Sequence, residues 1–164
     1  MQVANITLYN FSGHDFYEGI FSYDIQFILH FILVKEKLLT IDEFNLRLKE
    51  FRWSKREKGN KPCPFKIRKA GSKYEGSAGQ LRVLLKVVVL LLSDVIEKSE
   101  VGRLIISLQE VSEYVVAPRL TIHEIRWQMA EAVTTYLDLR INAITAYGMS
   151  PVRPKHHYLR YGSI

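Results

Sequence analysis

The sequence predicts an all-α fold: about five helices in an irregular bundle, interrupted by one long basic loop. Three observations lead there. Apolar residues recur at helical spacing in several separate stretches. Thr40 with Glu43, and Thr121 with Glu124, have the spacing of N-terminal capping boxes. Prolines and glycines gather between residues 52 and 79 and are sparse elsewhere. With 164 residues, 48% of them hydrophobic, the chain can bury a core, and its length fits a single domain over 1–164.

Taken in order, Val3, Ile6 and Leu8 alternate weakly and could form a short N-terminal strand. A helix follows over 14–37, where Phe16, Ile20, Phe27, Phe31 and Val34 share helical spacing. Ile28, Leu29 and Ile32 widen that stripe, so this helix needs burial on more than one side. Thr40 then caps a helix over 41–51, with Phe44, Leu48 and Phe51 inward and Arg47 and Lys49 outward. Residues 52–79 contain Gly59-Asn60, Pro62-Cys63-Pro64, Gly71, Gly76 and Gly79, and read as a loop. A loop that long inside a compact domain is usually functional or disordered.

Helical patterning resumes over 80–98. The β-branched residues of the 87–89 run argue for a strand, but the length and the continuation through Val95 and Ile96 favour a central helix. The next helix, over 101–116, carries Leu104, Ile105, Leu108, Val111 and Val115, and Pro118 ends it. Thr121 opens the last one, over 122–147, with Ile125, Met129, Val133, Tyr136, Leu137, Ile141 and Ile144 on its stripe and Gly148 as its stop.

Several function classes find no support. The opening MQVANITLYN has neither a basic start nor an apolar run, so no signal peptide is expected. The longest apolar run, 87–92, is far short of the ~20 residues a bilayer span needs, so no membrane partner is expected. A lone cysteine, Cys63, forms no internal disulfide and fits a reducing compartment, nuclear or cytoplasmic. There is no Gly-x-Ser-x-Gly, and Cys63 lies between two prolines with no histidine nearby. Gly71, Gly76 and Gly79 fit neither the P-loop nor the dinucleotide pattern. No small-molecule substrate and no cofactor are expected.

Charge is more informative. The net charge of +6 is modest, but 52–73 holds nine cations against the single acid Glu57. These are Arg52, Lys55, Arg56, Lys58, Lys61, Lys66, Arg68, Lys69 and Lys73. With Trp53, Phe65 and Tyr74 interleaved, they could neutralise DNA phosphates and stack on unpaired bases. A solvated loop that aids solubility, or a nuclear localisation signal, would use the same residues.

The histidines give a weaker signal. His14 and Glu18 share a helical face and could bind a metal, although an acidic first turn stabilising a helix end explains them as well. His156 and His157 are adjacent, so on a helix they point about 100° apart and are poorly placed to bind one ion together. Zinc at His14 with His156 or His157 would need four ligands, and that set is hard to complete. His30 reads as a core or interface residue and His123 as solvent-exposed.

Two motifs bound the chain. One is His14-Asp15-Phe16-Tyr17-Glu18-Gly19; the other is Arg153-Pro154-Lys155-His156-His157-Tyr158-Leu159. Between them lie Leu46-Arg47 with Phe51, Asn60-Lys61-Pro62 with Pro64, and Gly76-Ser77-Ala78-Gly79-Gln80. This order resembles transposase-like proteins repeated in animal genomes, whose pattern is HDxxEG followed by PKHHY, and the likeness runs from about residue 12 onward. It implies a parent with an RNase H-like core and magnesium-dependent DNA strand transfer, of which this chain is the helical insertion region. The sequence departs from the pattern at Phe11, where an acid is usual, and at Arg160, Tyr161 and Gly162, where a histidine and a proline are usual. Two-metal chemistry needs converging carboxylates, and Asp15 and Glu18 alone do not supply them. The expectation is therefore a catalytically incomplete fragment with no catalytic residue of its own, retaining DNA binding or an assembly role. The alternative is a helical protein-interaction module without nucleic-acid binding, whose apolar surfaces at 14–37 and 81–92 would serve self-association or a protein partner.

Overall fold

The computed structural model describes residues 16–117, 121 and 124–151, and every regular element among them is helical. A π-helical stretch, Phe16–Phe21, runs into α1 (Ser22–His30), which continues as a second π-helical stretch, Phe31–Lys35. Then come α2 (Ile41–Glu50), a 3₁₀ turn at Lys58–Asn60, α3 (Ala78–Leu91), a 3₁₀ turn at Ile96–Lys98 and α4 (Gly102–Val116). A third π-helical stretch, Glu124–Met129, leads into α5 (Ala130–Tyr147). The five α-helices and the long loop over 52–79 follow the sequence expectation. The expected strand at the start and the side chain of Glu124, the acid of the second capping box, lie outside the described residues.

The first helix is central, as its wide stripe requires. Ile20, Phe21, Ile25, Ile28, Leu29 and Ile32 are all fully buried. α4 packs chiefly on α5 and α3, α1 meets α4, and α2 lies on α3. The interaction-module alternative assigns the apolar faces of 14–37 and 81–92 to a partner. Among the described residues they are covered mostly by this chain itself, with Leu90 the large exception. Below them, Asp24 on α1 pairs with Arg140 on α5, both essentially removed from water.

Local chemistry sets the helix boundaries. At α2 the Thr40 hydroxyl accepts from the Glu43 N–H at 3.1 Å while the Glu43 carboxylate accepts from the Thr40 N–H at 3.0 Å. α3 starts with the same device two residues before the expected helix. The Ser77 hydroxyl accepts from the Gln80 N–H at 3.3 Å, and the Gln80 amide oxygen accepts from the Ser77 N–H at 2.9 Å. α3 also ends at Leu91, well before residue 98. Arg47 is the reason: its guanidinium donates to the Leu91 carbonyl at 2.8 Å and grips Asp94 at 2.6 and 2.8 Å, which turns the chain after the last helical residue. The Arg47 hydrogen bonds hold the Asp94 carboxyl down to about 2. Gly148 adopts the left-handed conformation (φ 70°) that closes α5.

Ser77→Ala is expected to cost about 1 kcal/mol, the usual value of an N-cap side chain. A urea titration reads it as a lower midpoint at unchanged slope, and an unmoved midpoint would show the cap to be idle.

Candidate nucleic-acid interface

The basic loop is fastened to the bundle at several points. Phe65 (1% exposed) and Tyr74 (4%) insert into the core, and Pro62 is also buried. Asn45 on α2 clamps the Phe65 backbone from both sides: its amide oxygen accepts from the Phe65 N–H at 2.7 Å, and its NH₂ donates to the Phe65 carbonyl at 3.1 Å. From α1, Gln26 donates to the Lys66 carbonyl at 3.1 Å, and the Ser22 carbonyl accepts from the Tyr74 N–H at 2.8 Å. Gln80 donates to the Lys61 carbonyl at 2.9 Å, and the Tyr74 hydroxyl donates to the Cys63 carbonyl. Burial pushes the Tyr74 phenol well above its ordinary range, so it stays protonated as a donor.

These anchors correct one expectation. Phe65 and Tyr74 do not present their rings to solvent for base stacking; they secure the loop. Trp53 packs on Phe51 with ring centroids 4.6 Å apart. Pro62, Phe65 and Tyr74 face the protein, Ile67 is 60% exposed, and the cations face water.

All nine cations are exposed. Glu75, just beyond the densest basic stretch, holds Lys66 and Arg68, each at 3.2 Å. Lys66, and then Arg68, keep the Glu75 carboxyl below its usual range. The Lys73 ammonium sits over the Tyr23 ring, 5.4 Å from its centroid. Arg52, Lys55, Arg56, Lys58, Lys61 and Lys69 have no ion-pair partner among the described residues. Six unpaired charges on a secured backbone make a concentrated positive surface.

That surface continues onto the bundle. A groove of about 490 Å³ is lined by loop, α3 and α4 residues, among them the cations Arg56, Arg82 and Lys86 and the acids Glu57 and Glu113. Lys86 reaches Glu57 at 3.0 Å, and Glu57 also accepts from Ser54 at 2.8 Å. Lys86 first, then Ser54, lower the Glu57 carboxyl. On the groove wall, the buried Tyr17 hydroxyl donates to the Ser112 carbonyl at 3.2 Å, and burial pushes its phenol up to about 12.

The chain matches no known family, no curated protein and no solved structure.

Of the motif residues, Glu18 and Gly19 are the half-buried members of the otherwise buried π-helical stretch Phe16–Phe21. His14, Asp15, Pro154, Lys155, His156 and His157 lie outside the described residues, as do His123 and the proposed zinc ligands. Among the described residues no three His, Cys, Asp or Glu side chains gather as a metal site. No described helix is long and apolar enough to cross a membrane. Sequence reading missed Arg82 and Lys86, which share one face of α3 as i and i+4, and it missed the anchors Asn45 and Gln26. Spacing within α3 could have exposed the first pair. Nothing local marks the second, because an anchor is defined by what lies opposite it.

Proposed function

We propose that this chain is a transposase-derived helical fragment, catalytically incomplete, whose secured basic loop contacts the phosphate backbone of DNA. One observation carries the reading: six cations with no ion-pair partner among the described residues stand on a loop fixed to α1, α2 and α3 by buried aromatic residues and by side-chain hydrogen bonds to its backbone. A loop whose charge only aids solubility needs no such fastening. The transposase origin rests on the order of the HDxxEG-like and PKHHY-like motifs and of the segments between them. Contacts of this kind position a protein on a duplex without reading its sequence.

The test is the salt dependence of duplex binding by the full chain. Each neutralised phosphate contributes about −0.9 to the slope of log affinity against log salt. A slope near −4 or steeper is expected, and each Lys→Gln change at Lys55, Lys58, Lys61 or Lys69 should flatten it by about 1. A flat salt response, or no binding at ~50 mM salt, rejects DNA contact and favours the protein-interaction module.

A further inference from the structure

A second cavity, of about 290 Å³, opens where the end of α1, the loop turn at 69–72 and the end of α5 meet. The turn is closed by the Ser72 N–H donating to the Lys69 carbonyl at 3.0 Å. Gly71 (φ 77°) allows that turn, in a conformation that side-chain-bearing residues rarely adopt. A Cβ on Gly71 would lie 3.8 Å from the Ser150 hydroxyl, so the turn rests against the end of α5. The basic loop thereby forms one wall, and the bundle forms the rest.

The lining combines two chemistries. Tyr23, Phe27 and Tyr147 supply aromatic rings, and Lys35 and Lys69 supply exposed ammonium groups. The rings are braced: Phe27 stacks on Phe31 at 6.0 Å, and Phe31 meets Tyr147 at 4.9 Å. The one acid in the lining, Asp24, is 1% exposed and committed to Arg140 at 2.7 and 3.0 Å. Asp24 is therefore not available to compete with an incoming anion for Lys35 or Lys69, and Glu100 and Glu36 are felt at the Tyr147 hydroxyl. His30 also lines the cavity, and burial, then Lys35, keep its imidazole below the ordinary range, so near neutral pH it is an uncharged hydrogen-bonding group.

Aromatic faces with cations at the rim, in a volume close to the ~300 Å³ lower end of small-ligand pockets, suit one ring and one phosphate. We propose that this cavity receives a single unstacked nucleotide, its base against the rings of Tyr23, Phe27 and Tyr147 and its phosphate at Lys35 and Lys69. The proposal rests on the DNA-contact reading and gives it a preference: an unpaired nucleotide beside a duplex, where the loop alone is indifferent to pairing. A free mononucleotide has the same chemistry, and the test separates the two.

The full chain is titrated with a blunt duplex, with the same duplex carrying one unpaired adenine, and with AMP alone. The unpaired adenine should tighten binding at least about 5-fold, which is ~1 kcal/mol and the low end for one stacked base. Phe27→Leu and Tyr147→Leu, which keep apolar bulk and remove a ring, should each erase that gain and leave the blunt duplex unaffected, while Tyr147→Phe retains it. Competition of the gain by AMP shows that a free nucleotide enters the same cavity. A gain that AMP leaves intact but the Leu variants erase restricts the cavity to a nucleotide within a strand. Equal affinity for the two duplexes, or a gain that both Leu variants leave intact, overturns the cavity proposal and spares the DNA-contact reading. AMP binding lost in Phe27→Leu, without any duplex binding, does the reverse. No binding of any probe rejects both.

Discussion

Arg140→Met is expected to lower the unfolding free energy by about 3–5 kcal/mol, because it removes the guanidinium that holds a buried carboxylate with two hydrogen bonds. Arg140 is 0% exposed and Asp24 1%. The guanidinium holds the carboxylate through Nε at 2.7 Å and Nη2 at 3.0 Å, and the Tyr136 hydroxyl donates to the same carboxylate. The pair joins α1 to α5 across more than a hundred residues of sequence, so the loss should be felt by the whole bundle. Yet Nη1 of Arg140 is buried with no hydrogen-bond partner among the described residues. An apolar replacement of Asp24, Tyr136 and Arg140 together escapes the desolvation of the pair and that unsatisfied donor. The triple variant Asp24→Leu, Tyr136→Phe, Arg140→Met should therefore recover most or all of the single variant's loss. Chemical denaturation of the single and triple variants measures the coupling. A single variant within ~1 kcal/mol of wild type would show that the carboxylate finds water or another partner.

This cluster also marks where sequence reading stops. The spacing alone puts Tyr136 on the inward stripe of the last helix, and it is fully buried. Asp24 and Arg140 gave no such sign, because a charged residue in an apolar pattern normally points outward. Their burial depends on each other, and that dependence is visible only once α1 and α5 are packed. The same contrast holds at the helix ends. The Thr40–Glu43 cap is local, written within four residues, and was legible. The end of α3 depends on Arg47, which is 47 residues from Asp94, so the apolar continuation through Val95 and Ile96 pointed to a longer helix. In the basic loop, the position and the charge could be read from composition. The inward turn of Phe65 and Tyr74 could not, since exposed rings for stacking and buried rings for anchoring have the same sequence.

Phe65 decides between a secured interface and a solvated tether. Phe65→Ala removes a side chain that is 1% exposed, and such truncations usually cost about 3–5 kcal/mol. Asn45→Ala removes the clamp differently, leaving the Phe65 N–H and carbonyl without their partner at a cost of about 1–3 kcal/mol. Neither change touches a cation. If the fastening matters for DNA contact, both variants should bind a duplex more weakly, by about tenfold or more, since ordering a loosened loop costs ~1–2 kcal/mol per residue. Their salt slopes should stay near the wild-type value, because the number of phosphates neutralised is unchanged. Lys→Gln variants should show the opposite pattern, with a flatter slope on an intact bundle. Affinity is compared well below the unfolding midpoint of each variant, so that weakened binding is not a loss of folded protein. Wild-type affinity in a folded Phe65→Ala chain would mean that the cations act as a mobile tether and that the loop's anchors serve stability alone.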